Sequence, residues 1–309
     1  MKHLQAFTLL VMIGLATVAL TNAQNQNNGA AYYPAFCSSE GGSVGLETME
    51  VFPDRGEAIR ISLPFGLGRF AYGPDGKALY GERMREPTMG DKHELYRIDL
   101  NPIRVSAVPA QASLKPIHSI AVSLREDRLL ISGGYEKGGS RYCGVFEISL
   151  PSGNLRSVLE TPDCKYLSAW LYLSLSPDGK QAVAVHGRSH SLDLIDTVHG
   201  EVKSIGVGFM KASWSPDGRW IAALEYRSKV RTVLFDARRL SPAKTLGESE
   251  VEWSPDSRYL LAVTGRGCSN ESGTVQTLHI QSGARATVES SKCQVYQTTA
   301  GWVSSSIVR

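Results

Sequence analysis

One tight-turn sequence recurs along this chain, and it restricts what the chain can fold into. The turn at residues 215–219 reads Ser-Pro-Asp-Gly-Arg, and close copies begin at Gly73, Ser176 and Ser254. Proline presets φ for the first corner of a type I turn, aspartate can bond its own backbone, and glycine accepts the left-handed conformation. Apolar runs flank the turn at 212–214 and 220–224. The pattern predicts a β-hairpin used as a repeated module.

The turn prolines set a period. They lie at 74, 177, 216 and 255, and Leu124 stands at the same place in a divergent copy, residues 123–127, so the intervals are 50, 53, 39 and 39 residues. A period of this size with hairpins in every unit is typical of a β-propeller with four strands per blade. In the unit that begins near Phe209, the four strands are predicted at 211–215, 220–224, 232–236 and 243–246.

The two ends of the chain complement each other. Residues 299–303 align with 211–215 as a first strand, whereas 47–52 and 58–61 resemble third and fourth strands. One blade would then be shared between the termini, and closing the ring would remove exposed strand edges. We therefore predict an all-β, six-bladed β-propeller that spans residues 44–309, its last blade closed by N- and C-terminal strands.

The N-terminus has the pattern of a secretory signal. Lys2 and His3 precede an apolar stretch at 9–20 and small residues at 21–23, which predicts a signal peptide over 1–23 and a polar leader over 24–43. No later stretch approaches the roughly 18 apolar residues of a membrane span. The formal net charge of +3 is too small to indicate nucleic-acid binding. An exported protein, periplasmic or secreted, is expected.

The repeat also resembles a known family. Ser-Pro-Asp-Gly-Lys/Arg after an apolar or Trp-containing strand is similar to the WD40-like PD40 repeat of TolB-type propellers, over nearly all of the expected mature chain. The Gly-His and Trp-Asp marks of true WD40 repeats are absent, and so is the separate N-terminal domain of TolB, so the resemblance concerns the propeller part alone. It implies a non-catalytic module that binds another protein or a peptide.

Cysteine spacing suggests two disulfides within blades. Cys143 precedes a third strand and Cys164 follows the fourth strand of the same unit, and Cys268 and Cys293 occupy the corresponding places in another unit. Equivalent positions in an exported protein favour Cys143–Cys164 and Cys268–Cys293 bridges. Cys37 has no such partner and is either a reactive thiol or a leftover cysteine.

Alternation along the first strands indicates which residues line the channel. The third and fifth places before the turn proline are small or polar, and they place Arg69, Tyr172, Lys211 and Glu250 near one mouth of the ring. A ligand site is one interpretation, and a solvated channel in which Lys211 pairs with Glu250 is the other. The loops between second and third strands emerge at this mouth and add Arg83, His186 and Glu225 as binding candidates. The same loops also carry Glu82, Arg85, Tyr135, Arg188, His190, Tyr226, Arg227 and Arg266.

Enzyme motifs are weak. Residues 41–45 match G-x-S-x-G but lack the strand–turn–helix context of a nucleophile, and His186 and His190 fall in one loop, so no metal or cofactor is expected. The favoured function is an exported, non-catalytic, monomeric propeller that binds a protein or peptide through its loop face and channel mouth. The alternative is a propeller enzyme of lactonase, cyclase or lyase type with its active site at the central channel.

Overall fold

The computed structural model describes residues 32–38, 46–53, 57, 59–83, 93–150, 152–161, 169–226, 230–247, 250–264, 274–288 and 300–307. Within these residues the fold is all-β, with 23 strands and one 3-10 turn at Ser305–Ile307. Every strand pair is antiparallel, and no helix in the described part of the chain has the length and apolarity to cross a bilayer.

Four sheets contain four strands each, in chain order. Their strands are β7 Ser113–Val122, β8 Arg128–Lys137, β9 Ser140–Ser149, β10 Leu155–Glu160; β11 Trp170–Leu175, β12 Gln181–His186, β13 Ser191–Asp196, β14 Val202–Val207; β15 Phe209–Trp214, β16 Trp220–Tyr226, β17 Val230–Asp236, β18 Ser241–Leu246; β19 Glu250–Trp253, β20 Tyr259–Thr264, β21 Thr274–His279, β22 Arg285–Val288.

A fifth sheet has seven strands in the order β23-β1-β2-β3-β4-β5-β6. They are β1 Tyr32–Ser38, β2 Leu46–Val51, β3 Ile59–Tyr72, β4 Ala78–Arg83, β5 Leu95–Leu100, β6 Ile103–Ala107 and β23 Ala300–Ser304. The 14-residue β3 pairs with β2 through its first half, as in Ile61↔Met49, and with β4 through its second half, as in Tyr72↔Leu79. Our interpretation is that β3 serves two blades, which gives six blades in all.

We number the blades from this division. Blade 1 contains the second half of β3 with β4–β6, blades 2 to 5 are the four-stranded sheets in order, and blade 6 contains β23, β1, β2 and the first half of β3. The first strands contact one another in a ring, β3 with β7, then β11, β15, β19, β23 and back to β3. They therefore surround the centre of the molecule.

The hydrophobic core is divided among the joints between blades. Among the described residues, buried side chains form six clusters, and each joins two successive blades. Tyr80 and Phe146 are in the cluster between blades 1 and 2, and Trp214 is in the one between blades 3 and 4. Met49 and Leu79 are in the cluster that joins blade 6 to blade 1. The ring is closed, as the sequence predicts.

The start of the propeller needs a correction. Residues 32–38 were expected in the polar leader, yet they form β1, the second strand of blade 6, between β23 and β2. Pro34 argues against a strand in the sequence because it cannot donate to a ladder. Its carbonyl nevertheless accepts from the Phe52 amide at 2.9 Å. The signal peptide and the rest of the leader lie outside the described residues and stay predictions.

The recurrent turns adopt the expected geometry. In the copy at 215–219, the Ser215 hydroxyl donates to an Asp217 carboxylate oxygen at 2.7 Å and accepts from the Trp220 amide at 2.9 Å, while Gly218 has φ +71°. In the divergent copy, Glu126 takes the place of that glycine with φ +52°. The hairpin module is thus kept even where the Pro-Asp-Gly sequence is lost.

Of the cysteines, Cys143 is buried in β9 and disulfide-bonded. Cys164, Cys268 and Cys293 lie outside the described residues, and only the backbone of Cys37 is described. The Cys143–Cys164 and Cys268–Cys293 pairing and the role of Cys37 therefore stay predictions.

Candidate functional site

The first strands of four consecutive blades carry a β-bulge at the same place. The extra residue falls between Leu67 and Phe70 in β3, between Ile117 and Ser119 in β7, between Leu171 and Ser174 in β11, and between Phe209 and Lys211 in β15. Each position is five or six residues before the turn proline or its equivalent. Bulges re-aim side chains and are common beside functional sites. The residues at these bulges are Arg69, His118, Tyr172 and Met210.

Tyr172 is the most unusual of these residues. Its φ is +54°, which is a genuine outlier for a bulky side chain, and its side chain is 46% exposed although it belongs to an inner strand. Its hydroxyl has no hydrogen-bond partner among the described residues. Strained and exposed aromatic residues of this kind concentrate at ligand contacts.

Lys211 connects three blades at the same mouth. Its ammonium nitrogen lies 6.0 Å from the centroid of the Tyr172 ring in blade 3 and 2.5 Å from a carboxylate oxygen of Glu252 in blade 5. The sequence suggested Glu250 as the partner of Lys211, but the described ion pair is with Glu252, two residues along the same face of β19. The side chain of Glu250 itself is outside the described residues.

On the other side of Tyr172, Arg69 and His118 lie close enough to interact electrostatically. Burial, then the charge of Arg69 and then His93, lowers the pKa of His118. His93 contacts the buried carboxylate of Glu82, and burial is also the main cause of its lowered pKa. The sequence did not single out His118, because period-two alternation without a bulge assigns the inner position to Ser119. Ser119 is instead buried and accepts a hydrogen bond from the Leu173 amide at 2.8 Å.

Three other predicted binding residues contact neighbouring side chains of the propeller. The Arg83 guanidinium lies 5.1 Å from the centroid of the Phe65 ring. His186 packs edge-on against Trp170 and contacts the Ser189 hydroxyl at 3.2 Å.

Glu225, expected in an accessible loop, is instead 4% exposed and paired with Arg231. It is buried because it lies in β16, directly opposite Arg231 in β17.

The remaining loop candidates divide by exposure. Tyr135 is buried in β8 and stacks on Tyr142, whereas Tyr226, Arg188 and His190 are exposed. Arg85, Arg227 and Arg266 lie outside the described residues. Among the residues that the structure describes, no three His, Cys, Asp or Glu side chains are grouped so as to hold a metal ion.

Two comparisons find no relative, because neither a protein-family model nor a curated protein sequence matches the chain. Solved structures do match. TolB from Acinetobacter baumannii aligns with a TM-score of 0.65 over 94% of this chain and 71% of its own, at 16% identity. A chain of a nidogen/laminin complex aligns at 0.61 over 88% and 97%, at 11% identity. An oligogalacturonate lyase in complex with manganese aligns at 0.54 over 79% and 70%, at 14% identity.

At these identities the likeness concerns the fold. The antiparallel sheets, the ring of first strands and the TolB structures among the matches agree with the resemblance carried by the recurrent turn. The chain therefore has a β-propeller fold similar to that of the TolB structures.

Proposed function

We propose that this chain is an exported, non-catalytic β-propeller that binds a protein or peptide partner through its loop face and channel mouth. The observation that carries the proposal is the series of bulges in four consecutive first strands. It brings cationic, imidazole and aromatic side chains to one end of the ring.

Tyr172 is the expected anchor of the partner. Exposed tyrosines with neighbouring cationic groups are typical of residues that dominate binding energy at protein interfaces. Its left-handed backbone costs about 1–3 kcal/mol, which persists only where the surroundings enforce it. Lys211 and Glu252 add a charge pair beside it, and such pairs fix the register and orientation of a bound segment.

The comparisons are compatible with this function. One similar chain belongs to a complex between two proteins, nidogen and laminin, and the TolB propellers are the family that the repeat resembles. Export is supported by the signal-like N-terminus and by the disulfide at Cys143, since disulfides persist in oxidising compartments.

The first test locates the partner. A photo-crosslinking amino acid is placed at Tyr172 in cells of the source organism, and at Lys180 in a control chain. Lys180 belongs to the turn after β11, at the opposite end of the same blade. We expect one defined adduct from position 172 and none from position 180. A partner captured from position 180 alone would contradict the proposed face.

The second test measures affinity with the purified partner. Lys211→Glu should weaken binding about 10-fold or more if the charge is desolvated in the complex. Lys180→Glu is the matched control because it makes the same charge change on the turn end. Equal affinities for the two variants would refute a role of the mouth.

A second candidate function is catalysis at the channel, favoured by one observation. The Glu82–His93 pair lies beside His118 at the mouth, and buried titratable pairs are candidates for proton transfer. The oligogalacturonate lyase among the similar structures makes oligogalacturonates reasonable substrates to try. Stoichiometric divalent metal together with turnover that is lost in His93→Gln would favour this candidate over partner binding.

A further inference from the structure

Arg69 holds a charge that the described structure leaves uncompensated. It lies at the bulge of β3, in the ring of first strands, and its side chain is exposed. Its guanidinium has no hydrogen bond or ion pair with any residue that the structure describes. An arginine offers five donors in a planar fork that matches a carboxylate in two parallel hydrogen bonds.

The surrounding charges are paired with one another instead. The Lys115 ammonium lies 2.7 Å from a Glu136 carboxylate oxygen, and His93 contacts Glu82. Of the described groups, Arg69 on β3 and His93 before β5 act on His118 directly. His93 in turn contacts Glu82 on β4 and is affected by the charge of Lys115 on β7, which pairs with Glu136 on β8. Among these charged side chains, Arg69 is the one that has no ion pair with a described residue, so its guanidinium can bind a ligand.

From this geometry we propose that Arg69 is a carboxylate-binding subsite at the channel mouth, which receives an acidic group of the bound partner. The inference rests on the proposed function, since the partner would supply that group. A carboxylate fits better than a phosphate, because one uncompensated guanidinium matches a single negative charge whereas a phosphate ester carries about two. The carboxylate comes either from an Asp or Glu side chain or from a chain terminus.

Binding at Arg69 should be visible at His118. In the free protein the positive charge of Arg69 helps to hold the pKa of His118 below its usual value, after the larger effect of burial. A bound carboxylate offsets that charge, so the pKa of His118 rises in the complex. Because the complex then binds protons more readily than the free protein, affinity increases as the pH falls through this range. A rise of about one unit corresponds to about tenfold tighter binding below both pKa values.

The experiment is a pH titration of the histidine ring signals by NMR, with probes of defined chemistry. N-acetylglycine presents a terminal carboxylate, N-acetylaspartyl amide presents a side-chain carboxylate, and N-acetylglycinamide is the neutral control. Ionic strength is kept equal with sodium chloride, because screening alone would also raise the pKa of His118. We expect a higher His118 pKa with one or both acids and no change with the neutral amide, and the acid that acts identifies the source of the carboxylate.

Variants assign the effect to Arg69. Arg69→Gln should raise the pKa of His118 in the absence of ligand and abolish the response to acids, whereas Arg69→Lys should keep part of it. Arg60→Gln is the control, because Arg60 is an arginine of blade 6 paired with Glu50 at 2.9 Å. An acid response that survives in Arg69→Gln, or no response in the unaltered protein, would overturn the subsite.

The result of this experiment can be distinguished from the results of the tests of the proposed function. If a partner is captured at Tyr172 and Lys211→Glu weakens it, but no acid acts on His118, the subsite is wrong and partner binding stands. If acids act through Arg69 while no partner crosslinks at the mouth, the subsite stands as a small-acid site and partner binding is wrong.

Discussion

The sharpest test of the fold concerns Glu126, which replaces the turn glycine in the divergent copy. Its φ of +52° is left-handed. Gly76, Gly179 and Gly218 hold the same place in three other turns, and Ser257, with φ +60°, holds it in the fourth. A non-glycine residue in this region costs about 1–2 kcal/mol. Considered by its backbone alone, Glu126→Gly should therefore stabilise the protein.

The side chain of Glu126 makes contacts that stabilise the protein, and glycine would lose them. One carboxylate oxygen accepts from the Tyr80 hydroxyl at 2.5 Å and from Arg97 at 2.6 Å, both in blade 1, whereas Glu126 belongs to the first turn of blade 2. Tyr80 is 1% exposed, and burial followed by this hydrogen bond raises the pKa of its hydroxyl. Arg97 is a donor only, so Glu126 supplies the acceptor that the described structure shows for the Tyr80 proton.

The relative sizes of the lost contacts and the relieved strain determine whether Glu126→Gly is less or more stable than the unaltered protein. A buried hydroxyl left without an acceptor costs about 1–3 kcal/mol. Loss of the Arg97 pair adds at most about 1 kcal/mol, because Arg97 is more than a third exposed and stays 2.8 Å from Asp99. After subtraction of the relieved strain, the central values leave Glu126→Gly destabilised by about 1 kcal/mol.

The assay is urea unfolding at pH 7 of the unaltered protein, Glu126→Gly, Glu126→Gln, Tyr80→Phe and the Glu126→Gly/Tyr80→Phe double variant. Glutamine keeps an acceptor and removes the charge, so it should lose less than glycine does. The double variant should lose about 1 kcal/mol less than the sum of the singles, since the two groups act on each other. Glu126→Gly at or above the stability of the unaltered protein, or strict additivity, would refute the reasoning.

Further predictions follow from the same contacts. Tyr172→Gly should raise the melting temperature by relieving the left-handed backbone while weakening partner binding, and a lower melting temperature would contradict the strain. His118→Gln should flatten the loss of stability on acidification: the pKa of His118 is lowered in the fold, so its contribution is present above about pH 6.5 and is lost as the pH falls toward the folded value. Deletion of residues 296–309 should cause aggregation or a large drop in melting temperature because it removes β23, and an unchanged monomer would mean that the ring does not close there. Peptide mapping without reduction should recover a Cys143–Cys164 bridge and a Cys268–Cys293 bridge, with Cys37 as an alkylatable thiol. A bridge between Cys37 and any of the other four would contradict this pairing.

Features with a local physical cause could be predicted from the sequence. The turn at 215–219 needs only its own serine, aspartate and glycine to form, and the strands around it were predicted within a few residues of their observed bounds. The repeat also allows a residue in one unit to be predicted from its equivalent in another, as Trp302 shows. It aligns with Trp253 one unit earlier, and both indole N–H groups donate to a first-strand carbonyl of the preceding blade at 3.2 Å.

Features that depend on distant strands could not be predicted. β1 pairs with β2 and with β23, which lies more than 250 residues away, and Pro34 makes its sequence look unlike a strand. A bulge adds one residue without changing composition, so alternation assigned Ser119 rather than His118 to the mouth. The divergent turn at 123–127 looked degraded because the contact that explains Glu126 lies in the neighbouring blade.

The two ends of the ring differ in how their polar groups are satisfied, although left-handed residues other than glycine occur at both, Glu126 and Ser257 at the turn end and Tyr172 at the loop end. At the turn end, neighbouring blades are joined by satisfied contacts, such as the Asp217 amide with the Ser257 hydroxyl at 2.9 Å and the Ser304 amide with the Gly76 carbonyl at 2.9 Å. At the loop end, the same strands carry bulges, a left-handed tyrosine and an arginine without a partner in the described structure. Local backbone strain persists only where the rest of the fold enforces it. The closed turn end supports the strained backbone of Tyr172 at the mouth. If the mouth binds a partner as proposed, substitutions there should change binding far more than stability.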